Sequence, residues 1–193
     1  MIGTGSDHFG FELKESIREF LERRGETVHD FGAYSRDPVD YPDTGARVAR
    51  AVQAGLIDRG VLVCGTGLGM AIVANKVPGV FAAPVTSIEL ARAARQSNNT
   101  HIIALGARVV TPEQACSIVE AWLATPFRGG RSAHKVAKMR AMERRLCHQA
   151  AHPGPSRPGP DRATPREASV QRTPAISAAS LGAAPGAVPR EER

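Results

Sequence analysis

The sequence predicts an α/β fold, a parallel sheet with helices on both faces. Three observations predict it. Short apolar strand segments alternate with segments of helical period at close spacing, the pattern of parallel crossover units. The helical segments carry their own start and stop signals. One apolar run, Val61 to Val63, passes through Gly65, Gly67 and Gly69 directly into a further helix, as a buried strand does when a glycine turn feeds the next element.

The elements follow in order. Met1 to Gly5 reads as a short first strand, followed by the turn Ser6-Asp7-His8-Phe9-Gly10. Phe11 to Arg24 carries Leu13, Ile17, Phe20 and Leu21 at helical spacing, and Gly25 closes it. Thr27 to Phe31 is the second strand. A loop with Asp37-Pro38 and Tyr41-Pro42 leads to a helix over about residues 43–54, ended by Gly55. The central strand and glycine turn come next, with a helix to about Lys76. Pro78-Gly79 breaks the chain, and Val80 to Val85 forms the fourth strand. Thr86-x-x-Glu89 reads as a capping box for a helix from Ser87 to Gln96. His101 to Leu105 is the fifth strand. Thr111-Pro112-x-Gln114 starts a helix to about Ala124, with Pro112 in the first helical position. Pro126 and Gly129-Gly130 end it, and a basic helix spans about Ala133 to Cys147. The globular domain is placed at residues 1–148. Residues 149–193 hold eight of the fourteen prolines among Ala, Ser, Gly and Arg, with no surviving period. They read as a disordered tail.

The glycine turn is the candidate site. A strand, a glycine turn and a helix start leave several backbone N–H groups facing one cavity, which suits a phosphate or a developing oxyanion. Cys64 stands at its mouth and Thr66 inside it. A thiol beside a helix N-terminus has its anionic form favoured. The pattern also fits an inert packing turn, because strand-end cysteines are commonly buried. Gly-Thr-Gly-Leu-Gly is neither the dinucleotide spacing nor a P-loop. Ligands of parallel sheets sit beyond the carboxyl ends of the strands. The turns holding Asp7-His8 and Cys64-Gly65-Thr66 meet there, which favours the functional reading.

Composition narrows the class. The 193 residues carry a net charge of +6 and only 5% aromatic side chains, too few for stacking on single-stranded nucleic acid. A positive balance also fits an enzyme for anionic substrates. Three cysteines lie far apart, with no Cys-x-x-Cys, arguing for a reducing compartment and against a zinc module. No signal peptide or membrane-length apolar run is read, so a cytoplasmic location with no membrane partner is expected.

Several segments then recur together: Gly-Ser-Asp-His-Phe-Gly-Phe-Glu-Leu-Lys near the start, Asp40-Tyr41-Pro42, Cys64-Gly65-Thr66-Gly67-Leu68-Gly69, Ala74-Asn75-Lys76, Asn98-Asn99, Leu105-Gly106-Ala107-Arg108 and Gly129-Gly130-Arg131. In this order they resemble the type B ribose-5-phosphate isomerase family, which includes galactose-6-phosphate isomerase subunits and tetrose-phosphate isomerases. The resemblance implies a three-layer α/β/α sandwich with a five-stranded parallel Rossmann-like sheet. It implies an aldose–ketose isomerase of sugar phosphates that needs no metal or other cofactor. It also implies a homodimer or homotetramer whose active sites are shared between subunits, with the last helix as a dimer arm. Cys64 matches the catalytic base and Thr66 the hydroxyl that helps proton transfer. The backbone of Gly65, Gly67, Leu68 and Gly69 would hold the enediolate oxygen. Asp7 would contact substrate hydroxyls, Tyr41 and Asn98 would line the sugar, and His8, Arg108 and Arg131 match phosphate-side positions. His29, His101, His134, His148 and His152 have no motif support.

Two positions depart from the pattern. Ser97 stands where ribose-phosphate isomerases of this type carry a ring-opening His, and Lys135 where an Arg is usual. A hydroxyl of high pKa is a poor substitute for an imidazole near neutral pH. Lysine keeps the charge but loses the bidentate fork. Erythrose 4-phosphate carries its phosphate on O4, cannot close a furanose and needs no ring opener. The tetrose-phosphate isomerases that the sequence resembles also carry Ser-Asn-Asn here. The first reading is therefore interconversion of D-erythrulose 4-phosphate and D-erythrose 4-phosphate. The second is ribose 5-phosphate and ribulose 5-phosphate, with ring opening left to solvent or a group such as His101. A non-catalytic subunit or sugar-phosphate sensor is a third, and a nucleotide-binding module a weaker fourth.

Overall fold

The structure is a computed structural model and describes residues 1–152; the expected tail lies outside these residues from 153 onward. The elements run β1 (Ile2–Ser6), α1 (Phe11–Arg23), β2 (Val28–Asp30), α2 (Tyr41–Gln53), β3 (Arg59–Cys64), α3 (Leu68–Ala74), β4 (Ala82–Pro84), α4 (Ile88–Asn98), β5 (Ile102–Gly106), α5 (Pro112–Ala124) and α6 (Arg131–Ala151). The five strands form one sheet in the order β2-β1-β3-β5-β4, and every pairing is parallel. The expected α/β/α sandwich is present.

Strand alternation sets the two outer layers. Val61, Val63, Ile103 and Leu105 face one side and pack with Leu13, Ile17 and Leu21 of α1, Ala91 and Ala94 of α4, and Ile118 and Trp122 of α5. Leu62, Cys64, Ile102 and Ala104 face the other and pack with Val48 and Ala49 of α2 and Met70, Ala71 and Ala74 of α3. The central strands are apolar on both faces, as parallel strands covered by helices must be.

Several boundaries differ from expectation. Helix α2 starts at Tyr41, because Pro42 fits the first turn and the preceding Asp40 is extended. Ser87, not Thr86, caps α4: its hydroxyl accepts from Leu90 N at 3.3 Å. The capping box of Thr111 and Gln114 forms as read, with both reciprocal hydrogen bonds present. Strand β4 is shorter than Val80 to Val85, since Val80 N closes a turn onto Val77 O. Helix α6 begins two residues before Ala133 and continues past the 148 boundary to Ala151. Arg131 and Lys135 therefore both lie on its first turns.

One buried cation links the layers at the start of the chain. Lys14 is fully buried in α1, and its three ammonium hydrogens have three acceptors. These are Asp30 Oδ2 at 2.6 Å, Glu15 Oε1 at 2.7 Å and Ala33 O at 2.8 Å. Ala33 N in turn donates to Ser6 O at 2.9 Å, and Gly32 O accepts from Ser6 N at 2.6 Å. The ammonium thus pins the loop after β2 against the end of β1, one residue before Asp7. Burial pushes the Glu15 carboxyl up, but hydrogen bonds from Arg18 and Lys14 outweigh it and hold the group below its usual range.

Two outcomes follow for stability. Lys14→Met leaves Asp30 without its cation and Glu15 with Arg18 alone, and is expected to cost about 3 kcal/mol in urea unfolding; a loss below about 1 kcal/mol would show that the ammonium does not hold this corner. His101 sits at the head of β5 and its Nδ1 accepts from Phe81 N at 3.0 Å. Burial first, then Arg140, Arg95 and Arg59, hold its pKa down to about 4. The unfolded chain, with an ordinary value of about 6.5, takes up a proton in that window that the folded chain refuses, so acid favours unfolding there. His101→Gln should lose less stability than the wild type between pH 6.5 and pH 4, roughly the two pKa limits, in urea midpoints; parallel pH profiles would contradict the assignment.

Candidate active site

The site is built where β1 and β3 end side by side. From β1 the chain crosses to β2 at one edge, and from β3 it crosses to β4 at the other. The crevice between them is the switch point where parallel sheets bind ligands. Asp7 N donates to Val63 O at 3.3 Å across it.

The turn after β3 is held by glycines that admit no side chain. Gly67 has φ 80°, and a Cβ there would lie 3.0 Å from Leu105 C and 3.1 Å from Ala104 O. A Cβ on Gly106 would meet Thr66 C at 2.7 Å. Two backbones therefore touch, tied by Ala107 N donating to Cys64 O at 2.8 Å and Arg108 N to Gly65 O at 3.0 Å. The close approach curls the turn over Cys64. Gly67 N donates to Cys64 Sγ at 3.1 Å, and Leu68 N to Thr66 Oγ1 at 3.4 Å. Among the described residues, the N–H groups of Gly65, Thr66 and Gly69 meet no acceptor. Cys64 is 5% exposed, so the sulfur lies just beneath the turn while Thr66 is open to solvent.

The surrounding side chains come from four elements. Asp7 is buried, and its Oδ1 accepts from Gly10 N at 2.8 Å, which fixes the carboxylate against its own turn. His8 Nδ1 lies 3.3 Å from both the N and the O of Val39. Tyr41, at the start of α2, lies over Gly69: a Cβ there would meet its ring at 2.8 Å. Arg108 flanks Gly65 and stands over the ring of Phe9. Leu68 is exposed on α3. So Asp7, His8, Tyr41, Cys64, Thr66, Gly65, Gly67, Leu68, Gly69 and Arg108 gather at one edge of the sheet. No group of three or more His, Cys, Asp or Glu is placed to hold a metal ion among the described residues.

Ser97, Asn98, Arg131 and Lys135 do not join them within one chain. Helix α4 runs back from the carboxyl end of β4 to the amino end of β5, so its last residues, Ser97 and Asn98, lie at the opposite edge. The beginning of α6 is close by, since Arg128 N donates to Gln96 O at 3.2 Å. The five residues of β5 separate the two edges, roughly 16 Å at the usual strand rise. Arg95 organises this second group. It is buried, and its Nη1 donates to Asn99 Oδ1 and to Thr100 O, each at 2.8 Å. Asn99 takes the left-handed conformation that ends α4. Burial, then Arg59, hold the Arg95 pKa down to about 10, still cationic at neutral pH.

Phe9, Lys14 and Arg95 were not among the expected site residues. Lys14 and Arg95 had a legible signal: each is a cation inside an apolar helical stripe, Leu13-Lys14-Ile17-Leu21 and Ala91-Ala94-Arg95.

The chain is similar to known proteins over most of its described length. The sequence pattern of the ribose/galactose isomerase family matches residues 2–139. A D-erythrulose-4-phosphate isomerase of Pectobacterium atrosepticum is 46% identical over 152 residues, covering 77% of this chain and 98% of that protein. Ribose-5-phosphate isomerase B of Escherichia coli is 43% identical, covering 75% and 97%. Among solved structures, Clostridium thermocellum ribose-5-phosphate isomerase B superposes with a TM-score of 0.74 at 50% identity, covering 75% of this chain and 98% of that one. The Mycoplasma genitalium enzyme, solved with bound ribulose-5-phosphate, gives 0.71 at 39% identity over 74% and 95%. The chain belongs to the ribose/galactose isomerase family, the sugar-phosphate isomerases that its motifs resemble.

Proposed function

We propose that this chain interconverts a phosphorylated aldose and its ketose through an enediolate, with Cys64 as the base that carries the proton between C1 and C2. The observation that supports it best is the Cys64 sulfur held under a turn of backbone N–H groups. Gly67 N–H is committed to that sulfur at 3.1 Å, which fixes where the sulfur stands under the turn. The free N–H groups of Gly65, Thr66 and Gly69 are left for the oxygen that becomes negative as the proton leaves carbon. Thr66, exposed beside them, would pass a proton between the two substrate oxygens. Asp7 would hold a sugar hydroxyl, and Tyr41 would wall the sugar. His8 and Arg108 would meet the phosphate.

The remaining residues come, in this reading, from a second copy. Ser97, Asn98, Arg131 and Lys135 reach a Cys64 site only across a subunit boundary. Exposed Phe9, Tyr41, Leu68, Ile72 and Val109 surround the turn, an apolar rim of the kind that marks an interface. A mixture of Cys64→Ala and Asn98→Ala chains tests this. Random pairing of the two should restore about a quarter of wild-type activity, since half the dimers are mixed and each mixed dimer has one intact site. If the mixture shows no more than the sum of its parts, the site lies within one copy.

The substrate we favour is the D-erythrulose 4-phosphate and D-erythrose 4-phosphate pair, and Ser97 is the residue that supports it. The ribose 5-phosphate reading has the support of the Escherichia coli and Clostridium thermocellum relatives. It lacks a ring opener, because His101 already accepts from Phe81 N and is kept neutral. A panel of four-, five- and six-carbon sugar phosphates decides. Cys64→Ala should lower kcat by about a hundredfold or more, as loss of an acid–base group does. A kcat/KM for ribose 5-phosphate far above that for erythrulose 4-phosphate would reject the tetrose reading. Gain of ribose activity in Ser97→His would strengthen it.

A further inference from the structure

We propose that Phe9 is a positioning residue that ties His8 and Arg108 into one clamp for the phosphate group of the sugar. This rests on the isomerase reading above and adds a residue to it. Phe9 is a large apolar side chain that the core does not use: it is 54% exposed and belongs to neither apolar cluster. Its ring instead has two polar neighbours. The His8 imidazole lies 4.3 Å away between centroids, tilted by 39°, and the Arg108 guanidinium stands 4.7 Å above the ring centre.

Arg108 needs such a support. Among the described residues its guanidinium meets no carboxylate and no hydrogen-bond acceptor. A long exposed side chain without partners keeps its rotamer freedom, and that freedom must be given up when an anion binds. The face of an aromatic ring attracts a guanidinium and limits its directions without using any of its N–H donors. The guanidinium stays beside Gly65, where a Cβ would lie 3.7 Å from its Nε. His8 is held from the other side, its Nδ1 against the Val39 peptide, so Nε2 is the nitrogen left for a ligand. Both ends of the stack are fixed by hydrogen bonds, Gly10 N donating to the Asp7 carboxylate and Arg108 N to Gly65 O. Phe9 closes the gap between them. The clamp carries a guanidinium with free donors beside an imidazole nitrogen, which is the chemistry of a phosphomonoester site.

The test uses the full chain and inorganic phosphate as probe, read both as a competitive inhibitor and by calorimetric titration. Phe9→Leu keeps apolar bulk and removes the π face. It should weaken phosphate about fivefold and raise KM by a similar factor, with kcat within about twofold. Phe9→Tyr should restore wild-type values. In an Arg108→Ala background, Phe9→Leu should change phosphate affinity no further, because its effect runs through Arg108. The proposal is overturned if Phe9→Leu binds phosphate like the wild type, if kcat falls while phosphate affinity holds, or if the loss is undiminished without Arg108. A wild-type chain that binds phosphate but isomerises no sugar phosphate would refute the enzymatic reading and leave the titration to judge the clamp.

Discussion

The turn after β3 exists only because two stretches of main chain are allowed to touch. Gly67 faces the main chain of Ala104 and Leu105, and Gly106 that of Thr66, at distances where a Cβ has no room. That contact curls the peptide over the end of the strand and aims Gly67 N–H at the cysteine sulfur. The same curl leaves neighbouring N–H groups without acceptors. Thr66 is exposed and Gly65 and Gly69 are half-buried, so water can meet these donors until a ligand takes its place. The geometry of the site is thus a property of the main chain, with the Cys64 thiol held beneath it.

The sheet supplies the second constraint. Alternation along β3 sends Val61 and Val63 toward α1 and α5, and Leu62 and Cys64 toward α2 and α3. A shift by one residue would bury the thiol under the wrong layer. Lys14 helps hold β1 beside it, by tying the loop after β2 to Ser6. The position of Asp7 therefore depends on a fully buried ammonium group.

Much of this was legible in the sequence because its causes are local. The glycine turn, the Thr111 cap and the strand–helix alternation each follow from a few adjacent residues. The errors also have local causes. Two neighbouring hydroxyl residues competed to cap α4, and Ser87 took the place read for Thr86. Tyr41 joined its helix because proline favours a first turn. What the sequence hid was partnership across space. Nothing near Lys14 announces Asp30 and Ala33, and nothing near Phe9 announces Arg108. The separation of Ser97 and Asn98 from Cys64 followed from chain direction: a helix that returns to the next parallel strand must end at the opposite edge.

Ser97 itself has one further property. It is exposed on the last turn of α4 and has no hydrogen-bond partner among the described residues, while the turn beyond it is secured by Arg95. Replacing it disturbs no packing within the chain, and such surface changes usually alter the stability of a fold by less than about 0.5 kcal/mol. Here the scaffold and the side chain are uncoupled. A lineage could exchange hydroxyl for imidazole at this point, or reverse the exchange, and sample new chemistry without ever passing through an unfolded ancestor.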